Sequence, residues 1–277
     1  MLRAARDEDL EMLKRHALAT DGARRLFVLE RNGVIGGAVA VADKPFESEI
    51  LRCPVAQIEA VQAWDNPDDL PALATGAIEA LADAGVALVS CRRPEADRTT
   101  LLALQQAGMY AVECLMTFSH PLSGLGEAAE TDTAQPTDAD ACVTVAERAF
   151  RFDRFHADPL VDDALADALK GAWVRNSVLG RADRVFVVRE AGRIVGFNAC
   201  MLRDDTAVID LIGIDPDHQG RGHGRRLTHA ALAHYAQRGA AVLKVGTQSA
   251  NHASLRLYQR AGFTVGQSVL TLHAHLA

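Results

Sequence analysis

The stretch DLIGIDPDHQGRGHGRRL, residues 210–227, decides the fold of this chain. It continues the β-branched, apolar run TAVIDLIGID (206–215), turns at Pro216, passes through glycines and ends at a helix start. The glycine segment reads Gln219, Gly220, Arg221, Gly222, His223, Gly224, with Arg225 and Arg226 entering the helix. Residues without a Cβ let successive backbone N–H groups converge on a ligand's oxygens. The helix N-terminus behind them adds partial positive charge, and the three arginines add full charges, so the place suits a diphosphate. The spacing GxGxG is neither a P-loop, which needs GK[ST], nor the dinucleotide GxGxxG. A plain flexible glycine turn is the alternative reading of the same residues.

Downstream, GRRLTHAALAHYAQRG (224–239) predicts a helix, with Leu227, Ala231 and Tyr235 on one face and Gly239 closing it. AAVLKVGTQ (240–248) predicts a strand and NHASLRLYQRAG (251–262) a further helix. Alternating strands and helices imply an α/β layer with some parallel pairing.

Upstream, GLGEAAETDTAQPTDAD (124–140) holds five acids and no base, too little apolar surface to fold alone. It predicts a linker, drawn at 124–136, between domains at 1–123 and 137–277. The two parts resemble each other. RLFVLERNGVIGG (25–37) matches RVFVVREAGRIVG (184–196), each predicting a β-hairpin turned at Gly33 or Gly192. LQQAGMYAVECLMTF (104–118) matches YQRAGFTVGQSVLTL (258–272), each a helix end, a glycine cap and a strand. Two matches in the same order, at offsets of 159 and 154, indicate a tandem duplication with diverged halves.

The composition narrows the function classes. In 277 residues, 29 basic side chains face 36 acidic ones for a net charge of −7, which argues against a nucleic-acid partner. Hydrophobic residues make up 49% and aromatic ones 5%, enough for real cores. No apolar run reaches the roughly 18 residues of a membrane span, and the helix-like start MLRAARDEDLEML lacks a signal-peptide core. Cys53, Cys91, Cys114, Cys142 and Cys200 are scattered among apolar neighbours, which predicts reduced, buried thiols and a cytoplasmic protein. The histidines form no metal set, so no metal is expected. Neither nucleic acid nor a membrane is expected as a partner, and a homodimer stays open.

Gln219-x-x-Gly222-x-Gly224 resembles the diphosphate loop of the GCN5-related N-acetyltransferases, whose pattern is [QR]-x-x-G-x-[GA]. The resemblance spans about residues 137–277 and takes in Asn251 and Tyr258. It implies two GNAT-like mixed sheets flanked by helices, an α/β (α+β) fold, and acetyl-CoA as cofactor. The pantetheine arm would follow Leu211, Ile212, Gly213 and Ile214; the diphosphate would sit on Gln219, Gly220, Arg221, Gly222, His223, Gly224 and Arg225, near Asn251 and Tyr258. Carried back by the repeat, Asn251 falls on Asp97 and Tyr258 on Leu104, and the acidic WDNPDDLPALATG (64–76) stands in place of the loop. Aspartates there would repel a diphosphate, so the N-terminal half is expected to be degenerate, without a cofactor site.

Amide formation from a thioester needs a polarised carbonyl, a neutral amine and a proton for the departing thiolate. Backbone N–H groups at residues 212–214 are implied for the first, and Tyr258, protonated at neutral pH, is the candidate proton donor. A tyrosine simply packed in a core is its alternative reading. The segments RFDRFHADP (151–159), WVRNSV (173–178), VGTQSANHASLRLYQRAG (245–262) and LALQQAGMYAVECLMTF (102–118) also resemble TDP-fucosamine acetyltransferases. PFESEILRCPVAQI (45–58) departs from that family's early aromatic segment.

That narrower resemblance places the base at Glu113. Its strand neighbours Ala111 and Leu115 suggest an apolar setting suited to a general base; an edge glutamate facing water is the alternative. Phe152, Arg154, Phe155 and His156 are candidates for the acceptor pocket, by stacking on a sugar or base and meeting a phosphate. The same two phenylalanines would equally serve a packed loop. The activity implied is transfer of acetyl to a primary amine, foremost on a nucleotide-linked amino sugar. The alternatives are a polyamine, peptide or aminoglycoside acceptor, or a non-catalytic acyl-CoA sensor.

Overall fold

The computed structural model describes residues 1–16, 24–123 and 131–276. In chain order the first half forms β1 (Leu2–Ala4), α1 (Leu10–Arg15), β2 (Arg24–Arg31), β3 (Val34–Asp43), α2 (Pro45–Leu51), β4 (Val55–Ala63), α3 (Leu70–Asp83), β5 (Leu88–Pro94), α4 (Arg98–Gln106) and β6 (Tyr110–Pro121). The second forms α5 (Ala139–Ala149), α6 (Asp163–Asn176), β7 (Arg184–Glu190), β8 (Arg193–Arg203), β9 (Thr206–Ile214), α7 (His223–Gln237), β10 (Val242–Gln248), α8 (His252–Arg260) and β11 (Thr264–His275).

These elements fold into two compact units, Met1–Glu113 with Val269–Ala277, and Cys114–Ser268. In the first unit the strands follow the order β1-β2-β3-β4-β5-β11, antiparallel except for β4 and β5. In the second the order is β6-β10-β9-β8-β7, antiparallel except for β9 and β10. Each sheet is therefore completed by the last strand of the opposite half. This differs from a clean division at 1–123 and 137–277, because a strand's local pattern does not reveal which neighbour it will pair with.

The duplication reaches the irregularities. The β2–β3 register shifts between Leu29 and Glu30 and the β7–β8 register between Val188 and Arg189, the corresponding places. The next ladders shift between Ala40 and Val41 and between Ala199 and Cys200. Both hairpins turn on two residues of positive φ, Asn32-Gly33 and Ala191-Gly192, the tight turn whose twist suits adjoining strands. Helix α2 has no counterpart, since β8 and β9 are joined by residues 204–205 alone.

Each sheet carries apolar side chains on both faces. In the first unit Ile58, Leu73, Leu81, Val89 and Leu104 cluster under α3 and α4, and Leu13, Val28 and Ala38 on the other face. In the second, Phe118, Leu227, Ala231, Tyr235 and Tyr258 pack under α7 and α8, and Val145, Val174, Val187 and Phe197 under α5 and α6. A fully buried leucine such as Leu104 contributes about 2 kcal/mol.

Three sequence readings need correction. The helix-like start is a strand at Leu2–Ala4, and its helix begins at Leu10. Of the linker, residues 124–130 lie outside the described residues; beyond them Thr133 bridges Phe186, and Ala134 N–H donates to Val185 O at 2.8 Å, so this part borders β7. The cysteines are free, but only Cys91, Cys142 and Cys200 are buried, while Cys53 and Cys114 are half-buried. Among the described residues no helix is long and apolar enough to cross a membrane.

Candidate active site

The site of the second unit begins where two parallel strands part. β10 pairs with β9 from Thr206 to Ile209 and no further. At that point β9 bulges: Cys200 faces Ile209 and Ala199 faces Leu211, leaving Asp210 as the extra residue, its carboxylate 2.6 Å from Arg181. A bulge bends its strand and sharpens the twist, so residues 211–214 continue along β8 with their other edge open. This open edge is the stretch expected to follow a pantetheine arm.

The turn after β9 is held from several sides. Asp215 Oδ1 accepts the Asp217 N–H at 2.9 Å, Gln219 Nε2 donates to Ile214 O at 3.2 Å, and Arg148 of α5 pairs with Asp215 and Asp217. Gly220 and Gly222 have φ of 75° and 83°, values that disfavour any side chain, although nothing crowds either position. Gly222 is the N-cap of α7, and the Arg226 N–H donates to its carbonyl at 3.0 Å as the first helical bond. The N–H groups of His223, Gly224 and Arg225 thus have no acceptor within the helix, and they point out of its positive end. Backbone N–H donors at a helix start are the donor set that a diphosphate takes.

The charges are distributed differently from the sequence reading. Arg221 does not stand free: its guanidinium lies 2.7 Å from Glu190, at the end of β7, and donates to Asp217 O at 3.0 Å. His223 Nε2 lies 2.7 Å from the other Glu190 oxygen, and His218 is 3.7 Å away. The hydrogen bond with His223, helped by the Arg221 charge, holds the Glu190 carboxyl below the usual carboxylate range. Arg225 and Arg226 are exposed. Glu190 was missed from sequence, although the repeat aligns it with Arg31, a charge reversal at a matched position.

Asn251 is the N-cap of α8, its Oδ1 accepting the Ser254 N–H at 3.1 Å. Its amide oxygen is therefore committed to the helix, leaving the NH₂ for other partners. Tyr258 is 1% exposed, with its ring between Phe118 and Phe263 at centroid distances of 5.9 and 5.6 Å. Burial, with Cys200 adding to it, raises the phenol's pKa and keeps its proton on.

The first unit repeats the frame with a different turn. β4 and β5 pair over the same four positions, Val55 to Ile58, and then part. Six residues separate β4 from α3, against eight between β9 and α7. Asn66 takes the amide donors that remain, accepting the Asp68 N–H on its side chain at 3.1 Å and the Asp69 N–H on its carbonyl at 3.0 Å. Asp69 sits at the start of α3, 2.8 Å from Arg31, without a side-chain hydrogen bond to the helix amides.

The acceptor candidates lie between α5 and α6 and divide into two kinds. Phe155 is 1% exposed, packs on Trp173 and carries the Arg154 guanidinium 4.5 Å over its ring. His156 is clamped between Asp153 at 2.6 Å and Asp167 at 3.0 Å, and Lys170 Nζ lies 3.4 Å from Asp153. These contacts tie Phe155 and His156 into the loop's own structure. Burial works against the charged form of His156, but the two carboxylates outweigh it and raise its pKa. Burial likewise opposes the Asp153 anion, but His156 and Lys170 bring its pKa down to about 2. Phe152 remains 43% exposed, and Arg154 is buried.

Glu113, in the first unit, is buried rather than facing water. Its Oε1 accepts the Thr271 hydroxyl at 2.9 Å and lies 3.5 Å from Arg92, so its setting is polar, not the apolar one expected from Ala111 and Leu115.

The chain is similar to several known proteins. The profile of the acetyltransferase (GNAT) family matches residues 146–263. Spore coat polysaccharide biosynthesis protein SpsD of Bacillus subtilis (strain 168) is 25% identical over 88% of this chain and 86% of its own. The dTDP-fucosamine acetyltransferase of Escherichia coli O6:H1 is 32% identical over 62% of this chain and 74% of its own. A GCN5-related N-acetyltransferase from Sphaerobacter thermophilus shares the fold, with a TM-score of 0.66 at 15% identity over 99% of this chain and 95% of that one. The chain belongs to the GNAT family. It is an acetyl-CoA-dependent N-acyltransferase.

Proposed function

We propose that the second unit transfers acetyl from acetyl-CoA to the amine of a nucleotide-linked amino sugar. The observation that carries the donor half is the turn at residues 219–225, with unpaired helix N–H groups beside a β9 edge left open by the Asp210 bulge. Bound acetyl-CoA supplies an activated acetyl thioester. The chain's amides at residues 219–225 hold the diphosphate, and those of Ile212 and Ile214, on the edge away from β8, polarise the thioester carbonyl. Tyr258 keeps its proton in the buried site and gives it to the departing thiolate. Phe152 offers an exposed aromatic face for a sugar or base, and the buried Arg154 a guanidinium for phosphate.

The acceptor class rests on two relatives of polysaccharide and amino-sugar name, SpsD and the dTDP-fucosamine acetyltransferase. The test is thiol release from acetyl-CoA across amino-sugar nucleotides, polyamines, aminoglycosides and peptides. Turnover confined to amino-sugar nucleotides supports the reading. Turnover of a polyamine, aminoglycoside or peptide with amino-sugar nucleotides inert overturns the acceptor.

A further inference from the structure

After Asp217 the chain has no aspartate or glutamate at all, although the protein's net charge is −7; those last sixty residues carry seven lysines and arginines. Both helices of this stretch, α7 and α8, are free of acids. Arg225 and Arg226 on α7 and Arg256 and Arg260 on α8 are all exposed, and among the described residues none of the four has an ion-pair partner. Arg148, Arg221 and Arg238 in the same unit are, by contrast, each paired with a carboxylate.

The free cations border the diphosphate turn. A Cβ placed on Gly224 would lie 3.3 Å from Leu257 Cδ2, so α8 flanks the first turn of α7. Arg256 and Arg260, four residues apart, share one face of α8 next to Leu257. The carboxylates of the turn itself, Asp215, Asp217 and Glu190, are engaged by Arg148, Arg221 and His223 and leave the four arginines unopposed.

We infer that Arg256 and Arg260, with the α7 arginines beside them, read the phosphate on the ribose of coenzyme A. The protein thereby selects coenzyme A over its 3′-dephospho form. The inference rests on the diphosphate being seated at residues 219–225. Backbone amides there supply position rather than charge, whereas the ribose phosphate lies one sugar further out, within the span of an arginine side chain. A guanidinium meets phosphate through paired N–H donors, and its strength falls with added salt where it is exposed.

The test is calorimetric titration of the full chain with coenzyme A and with 3′-dephospho-coenzyme A. The wild type is expected to bind coenzyme A about tenfold tighter or more, a difference in the range of charge-assisted phosphate contacts. Arg256→Gln/Arg260→Gln should bring the two affinities to within about threefold while leaving that for the dephospho form unchanged, which also shows the variant to be folded. Equal affinities in the wild type, or a ratio that the variant leaves intact, would overturn the inference while leaving the diphosphate seat standing. Failure of both ligands to bind the wild type would overturn the seat, and this inference with it.

Discussion

Glu190 Oε1 lies 2.7 Å from His223 Nε2, and the corresponding pair of the first half, Arg31 and Asp69, meets at 2.8 Å with the acid on the opposite partner. In the first half the acid stands at the start of the helix. In the second the acid stands on the strand and the first turn of the helix holds no carboxylate. Glu190 also neutralises Arg221, so Glu190→Gln should expose that charge and steepen the fall of coenzyme A affinity with salt. Titrations at low and high ionic strength measure this, and a slope equal to that of wild type would contradict it.

Gly222 adopts φ of 83° at the N-cap of α7, where a side chain meets backbone strain of about 1–2 kcal/mol rather than a neighbour. Gly222→Ala should weaken coenzyme A binding at least about tenfold by reorienting the amides. Gly33→Ala, at φ of 76° in the first unit's hairpin, carries the same strain and should leave binding unchanged. Equal losses in the two variants would show that strain alone, not the phosphate seat, is being measured.

Tyr258→Phe removes one hydroxyl from a buried ring and leaves its packing on Phe118 and Phe263. Turnover should fall at least about tenfold, the range of general acid catalysis, with coenzyme A affinity nearly unaltered. Leu104 stands at this position in the first half, fully buried, which is what the site needs for packing alone. A Phe variant with full turnover would assign Tyr258 to packing as well.

His156 has a raised pKa, so its contribution to stability is complete below the unfolded value of about 6.5 and is lost as pH rises through the folded value. Asp153, lowered to about 2, works in the opposite sense, losing its contribution only as pH falls below the unfolded value of about 3.9 toward 2. Between about pH 4 and 6.5 both are in place. Denaturant midpoints should therefore decline from pH 6 to 9 in the wild type and decline less in His156→Asn. Parallel declines would remove His156 from the linkage. Asp153→Ala, which leaves Lys170 buried without that carboxylate, should cost about 3 kcal/mol at neutral pH.

Much of this was legible in the amino-acid order because it is local. The hairpins at 25–37 and 184–196 alternate and turn on a glycine, and the α7 face of Leu227, Ala231 and Tyr235 repeats every four residues. The glycines of the diphosphate turn announce their own positive φ. The bulge at Asp210 was not legible, because an extra residue exists only relative to the strand opposite. Nor was the setting of Glu113, whose partner Thr271 is 158 residues away and arrives on the strand that the second half lends to the first unit. Nor was the clamp on His156, because Asp167 reaches it from α6, eleven residues further along the chain.

The duplication makes the donor site's location testable by counting. Titration of the full chain with coenzyme A, followed by heat, should give one equivalent per chain and none in Gly222→Asp. Two equivalents in the wild type, or one equivalent surviving in Gly222→Asp, would place coenzyme A elsewhere and contradict the assignment.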